Sequence, residues 1–142
     1  MATFNKFDCF AKDLADGIHN LTSDQLGIAL CASNHQPSTA DDTTIGDLQQ
    51  INYTYLLPAD RYVTTVSSAE VSGEYVLQLQ DLSLTASGGT VDAFRYIILY
   101  NDDAGLGTLI GWADYGSNLQ LTDGSSFNIN FAEDTITIDE AS

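Results

Sequence analysis

Hydrophobic residues recur at two different periods along this chain. Phe7, Phe10, Ala11, Leu14 and Ile18 fall three or four apart, the spacing of one side of a helix. This predicts a short amphipathic helix over residues 8–16, with Asp8 placed to cap its start and Gly17 near its end. Phe4 and Phe7 precede or open that helix as an apolar arm. Beyond residue 24 the pattern becomes that of extended chain. Gln25 to Ala32 (QLGIALCA) reads as a buried strand, and residues 33–48 as a long, polar, turn-rich surface loop, of the kind that is either functional or mobile. Residues 50–57 and 61–67 read as two extended segments around Pro58-Ala59-Asp60. From Glu74 to Ala86 the apolar positions change phase, Tyr75, Leu77 and Leu79 giving way to Leu82 and Leu84. A β-bulge near Asp81 would keep both sets pointing inward.

Val91 to Asn101 is apolar on both faces, the signature of an interior strand covered from both sides. Turns at 101–105 and 122–125 then separate a strand at 108–113, a segment at 119–121 and a strand at 127–131, whose Asn128 and Asn130 mark a solvated face. Residues 135–138 (TITI) read as a last short strand. Eight or so short strands between turn clusters indicate an all-β fold, a β-sandwich of jelly-roll or immunoglobulin-like type or a closed barrel. With 142 residues the chain reads as one domain, 1–20 forming the arm and short helix and 21–142 the sandwich. A domain of this size buries roughly 70% of the surface its unfolded chain exposes, enough to fold without disulfide or metal.

Charge sharpens this picture. Four basic residues (Lys6, Lys12, Arg61 and Arg95) face twenty carboxylates, a formal net of −16. Such a surface repels phosphate backbones and anionic headgroups, so neither nucleic acid nor membrane is an expected partner. Its plain physical role is to keep copies apart in solution, or to suit a salty habitat where screening weakens the repulsion. The first residues lack the apolar core of a signal peptide, and Asp8, Asp13 and Asp16 speak against a transit peptide. Synthesis in a reducing cytosol is therefore expected, with Cys9 and Cys31 as free thiols. On the same ground, the glycosylation-type triplets at Asn20 and Asn52 are expected to be accidental.

No reactive constellation emerges from the spacing. The two histidines, His19 and His35, stand apart from each other and from the cysteines in no zinc-binding pattern. Asp41-Asp42 and Asp102-Asp103 could attract a hard cation, but neither belongs to a calcium loop with a distal Glu. There is no GxSxG elbow, and Gly105-Leu106-Gly107 lacks the third glycine of a phosphate cradle. Trp112 and Tyr115 could form a sugar-stacking platform, although aromatic residues in strands more often serve cores and interfaces. The expectation is a non-enzyme that needs no cofactor and no metal.

The segments FRYIILYND, LIGWADYGSN and LTDGSSFNINF, with FNKFDCFAKDLADGIHNL at the start, resemble a family of small virion structural proteins of tailed bacteriophages. The resemblance covers both ends and most of the last third, while residues 33–70 are not diagnostic. The chain departs from it by Ala113, where a second aromatic is common, and by its acidic loop at 40–47. The resemblance implies a non-enzymatic decoration (cement) protein on the outer capsid surface, made in the host cytoplasm. Its partners would be the major capsid protein and copies of itself, often as a trimer. On this reading Phe4, Phe7 and Phe10 would be apolar anchors to the capsid lattice or a neighbouring copy, and Trp112 and Tyr115 interface residues. The charge suits the exterior, since −16 per copy facing packaged DNA is unfavourable. A tail component (tail tube, adaptor or fibre base) and a carbohydrate-binding module are the alternative readings.

Overall fold

A computed structural model describes residues 4–131 and 136–138. The fold is all-β, with one short helix. In chain order the elements are β1 (Phe4–Lys6), α1 (Cys9–Ala15), β2 (Leu26–Cys31), β3 (Tyr62–Val63), β4 (Thr65–Val71), β5 (Glu74–Leu79), β6 (Leu82–Thr85), β7 (Phe94–Asn101), β8 (Thr108–Leu119), β9 (Ser126–Ile129) and β10 (Ile136–Ile138). An antiparallel sheet of order β1-β8-β7-β2-β3 forms the body, accompanied by a three-stranded sheet β10-β5-β4 and the pair β6-β9.

Strand β2 alternates large and small side chains, and that alternation explains how the main sheet is packed on both faces. Leu30 lies opposite Ile97 and Ile28 opposite Leu99 on one face; Gly27, Ala29 and Cys31 lie opposite Tyr100, Ile98 and Tyr96 on the other. The small residues make room for the large ones across the ladder. The Tyr100 ring lies so close over Gly27 that a Cβ there would sit 2.8 Å from it. The first face packs against the smaller sheets, joining Leu26, Ile28, Leu99 and Ile110 to Leu77, Leu79, Leu84 and Ile129 in one core. The second face carries Ile98, Leu109, Tyr96 and Trp112, packed with Phe7, Ile45 and Leu48. The expectation that the strand at 91–101 is covered on both sides holds.

The cover on that second face is the segment expected to be a surface loop. Residues 32–48 are laced to the sheet and the helix: Leu109 N–H donates to Thr43 O (2.9 Å), Ile45 N–H to Gly107 O (2.9 Å) and Asp8 N–H to Thr39 O (3.0 Å). Trp112 Nε1–H donates to Thr39 Oγ1 at 3.1 Å. A 3₁₀ turn at Ile45–Asp47 carries a capping box between Thr44 and Asp47. Polar composition hid this role, because among its larger apolar side chains only Pro37, Ile45 and Leu48 turn toward the sheet.

Three expectations are corrected. The phase change in 74–86 is a switch of sheets rather than a bulge: β5 pairs with β4 and β10, while β6 pairs with β9. Leu79 and Leu84 still both end in the core, as the apolar pattern requires. Asp81, at the corner, accepts the Phe131 N–H at 2.8 Å. Asp8 occupies the position before α1, but its side chain makes no capping bond. Residues 50–57 form no regular strand. With Arg61 they supply side chains that finish β2 beyond its two-residue pairing with β3: Leu30 N–H donates to Tyr53 Oη (2.9 Å), and Arg61 Nη1 donates to Ile28 O (3.0 Å) while stacked on the Tyr53 ring. Burial pushes the Tyr53 hydroxyl up to about 12. The final strand appears as β10, and Thr135 lies outside the described residues.

Candidate functional site

The residues singled out from sequence do not converge. Phe7 and Phe10 are each 2% exposed and belong to the chain's own cores. Phe4 is half-buried in edge strand β1, its ring lying across Gly111 where any Cβ would collide with it. These three aromatics are internal packing, which corrects their reading as external anchors. Trp112 is buried on the second face, edge-on to Tyr96. Tyr115 is exposed and packs edge-on to Phe127, whose neighbours belong to the first core. The two make no common sugar platform.

The acidic pairs are turn devices. Asp42 accepts the Ser38 N–H at 2.8 Å, and Asp103 accepts the Gln25 N–H at 2.8 Å. No group of three or more potential metal ligands gathers among the described residues. Both cysteines are free, and burial pushes each thiol up to about 11, far from a reactive thiolate.

Other carboxylates clamp the chain in the same way. Asp123 accepts from Gly88 N–H (3.0 Å), Glu70 from Gly73 N–H (2.6 Å), and Asp47 from Thr43 N–H (2.9 Å). The backbone N–H groups of Thr43 and Thr44 hold Asp47 below the usual carboxylate range, and the Arg95 guanidinium does the same for Asp114. A depressed carboxyl pKa adds stability above its unfolded value and loses it as pH falls through the folded value. Self-repulsion of the −16 surface acts against folding at neutral pH. The expected result is a melting temperature that rises with added salt at pH 7 and drops once pH falls below about 4, where carboxylates protonate. Scanning calorimetry across pH and salt checks this, and a melting temperature indifferent to salt would contradict it.

A constructed polar site surrounds His19, a residue that sequence spacing left without a role. Helix α1 ends at Asp16 and Gly17, the latter at φ 79°, and Ile18 N–H returns to Asp13 O at 2.9 Å. This reversal drives His19 inward, where it is 6% exposed and packs against the Phe10 ring. Asn101, at the end of β7 and fully buried, meets it there. The Asp103 N–H donates to Asn101 Oδ1 (3.0 Å), which orients the amide. The Asn101 NH₂ group then faces Asp24 Oδ2 at 2.7 Å and His19 Nδ1 at 3.0 Å. Nδ1 must accept, so the neutral ring carries its proton on Nε2. Burial lowers the His19 pKa and keeps it neutral, against the pull of Asp13 and Asp24. Nε2 is buried and has no partner among the described residues.

Beside this ring lies an open groove of about 610 Å³ between the 17–22 turn and the β4–β5 hairpin. Leu14 and Leu21 give it an apolar part, and Asn20, Thr22, Ser68 and Tyr75 a polar one. Its hydroxyls form a chain, Thr22 Oγ1 to Ser68 Oγ at 3.1 Å and Ser68 Oγ to Tyr75 Oη at 2.8 Å. Among the described residues, no charged side chain lines it. The arrangement offers hydrogen bonds and an apolar floor. With Nδ1 occupied by the Asn101 amide and Nε2 buried, His19 is placed as a structural residue rather than as a base. Asn101 lies 82 residues from His19, so no local motif could have revealed the pair.

No known family model, curated protein or solved structure matches the chain.

Proposed function

We propose that the chain is a non-enzymatic structural subunit of a tailed-phage particle, a decoration protein that binds the outer head surface through the major capsid protein and copies of itself. The observation that carries this reading is where the family-like segments lie. FRYIILYND and LIGWADYGSN form the paired strands β7 and β8 at the centre of the main sheet, and LTDGSSFNINF supplies β9. In this chain those segments form scaffold rather than a reactive site, which supports a structural role. Every described carboxylate lies at least partly exposed, which suits a place on the outside of a head rather than against packaged DNA.

Docking then falls to exposed apolar side chains in place of the N-terminal aromatics. Tyr55 (41% exposed), Leu57 (56%), Tyr62 (43%) and Val66 (58%) all come from one stretch that leads into the edge strand β3 and then β4. Each such contact can be weak, because many copies on a shell act together. The double substitution Leu57→Asp with Tyr62→Asp touches only exposed positions, so the fold is expected to survive with its melting temperature little changed. Incorporation into particles, measured by quantifying the chain in purified heads, is expected to fall by about tenfold or more, as for loss of interface anchors. Undiminished incorporation of a folded double variant would remove this surface from the docking role.

A further inference from the structure

We propose that the free edge of β4 pairs antiparallel with β4 of a second copy of this chain, joining the smaller sheets of the two copies across a two-fold axis. β4 (Thr65–Val71) ends the order β10-β5-β4, with β5 on one side. Its hairpin fixes which backbone groups are free. Ser72 and Gly73 both have positive φ (53° and 87°), the backbone of a two-residue type I′ turn, so the flanking pair Val71–Glu74 exchanges hydrogen bonds. Pairs then alternate along the ladder. Thr65 lies opposite Leu79 and Ser67 opposite Gln78, which makes Val66 the extra residue of a bulge. Allowing for it, the Gln80 N–H to Thr64 O bond (2.9 Å) fits the same alternation. Ser68 and Glu70 therefore turn their N–H and C=O groups away from β5. Among the described residues, nothing bonds to those groups.

Edge strands are commonly guarded by lysine, proline or a projecting charge. β4 (TVSSAEV) has neither lysine nor proline, and its one charge is turned back on its own hairpin, where Glu70 accepts the Gly73 N–H. Outward N–H and C=O groups accept another extended strand, and the side chains select which. A basic partner would be recognised by carboxylates, and this edge offers only the engaged Glu70. A second copy offers an equally neutral strand. Placing Ser68 opposite Glu70 of the second copy uses every outward group of both residues, with the axis at Ala69. Placing Glu70 opposite itself would set like charges directly across the ladder. In the favoured register Ala69 meets Ala69 at the centre, small enough for close approach. Val71 of each copy (56% exposed) then comes beside the bulged Val66 of the other (58%). The edge is self-complementary, as a two-fold interface must be.

The bulge confines the ladder to residues 67–71, so the contact is far smaller than the roughly 1,600 Å² of a standard interface and the pairing is weak. The −16 charge of each copy opposes approach, so pairing strengthens as salt screens it. Pairing of the purified chain is independent of the particle reading, and a monomer would leave Leu57 and Tyr62 free for the capsid protein.

The test is sedimentation equilibrium of the full chain in about 0.05 M and about 0.5 M sodium chloride, with amide hydrogen exchange followed by NMR. The expected result is a monomer–dimer equilibrium with a Kd on the order of 0.1 mM in high salt, and about tenfold weaker in low salt. At about 1 mM chain that Kd leaves about a fifth of the copies unpaired, so the Ser68 and Glu70 amides are expected to exchange about fivefold slower than in the monomer. Ala69→Lys sets two ammonium groups against each other at the axis. It is expected to abolish the dimer with the melting temperature little changed. A monomer throughout, a dimer undiminished by folded Ala69→Lys, or a dimer whose Ser68 and Glu70 amides exchange as in the monomer would each overturn the proposal. Should Ala69→Lys fail to fold, the exchange rates of the native chain decide it.

Discussion

Replacing Phe10 by alanine is expected to lower the unfolding free energy by about 3–5 kcal/mol, the range for removing a buried aromatic ring. Phe10 is 2% exposed and lies in the larger core with Leu21, Leu26 and Leu99, its ring against His19. Its loss opens a cavity that the rigid main sheet cannot fill by collapse. Against a total of about 5–15 kcal/mol for a domain, that is a large fraction. Denaturant titration followed by Trp112 fluorescence measures it. A loss below about 1 kcal/mol would mean that the helix does not seal the core and that its aromatics are free for another use. A consequence follows for truncation. Removing residues 1–10 takes away β1, Phe7 and Phe10 together, so a failure of such a chain to decorate particles reports misfolding rather than a lost anchor.

Asn101→Leu is expected to cost about 2–4 kcal/mol, because one substitution orphans groups on three sides. Asn101 is fully buried, donates to His19 Nδ1 and Asp24 Oδ2, and accepts from the Asp103 N–H. Asp24 also accepts the Asn20 N–H at 2.8 Å, so the turn that carries the groove loosens with it. The same substitution frees the His19 tautomer. In the native chain the ring proton is expected on Nε2, visible in nitrogen-detected histidine spectra, and the Asn101→Leu variant is expected to show a mixture of tautomers. A native spectrum with the proton on Nδ1 would contradict the amide orientation on which the network depends.

The legible parts of the fold are those where the covering surface does not matter. The apolar spacing of 7–18 located α1, and the runs at 25–32 and 91–101 located the two central strands. Apolar residues on both faces of β7 required two layers of cover, but periodicity states only that a face is buried, never by what. Thus Phe7 and Phe10 read equally well as core or as outward anchors, and their burial decides for core. The same limit hid the loop at 32–48, whose hold on the sheet is mainly through backbone hydrogen bonds that any polar sequence could make. The change of phase at Asp81 announced a break in the strand, yet a bulge and a change of sheet leave the same trace in side-chain alternation. For the groove there was no trace at all, since Ser68 and Tyr75 face His19 only through the tertiary fold.

The proposed decoration role is tested most directly by electron cryomicroscopy of intact phage particles from the same source as this chain. The expected result is density for a two-layer β block repeated over the outside of the head, with residues 55–66 against a neighbour and the carboxylates toward solvent. Density within the tail, or a particle whose head surface lacks the chain altogether, would contradict a decoration role.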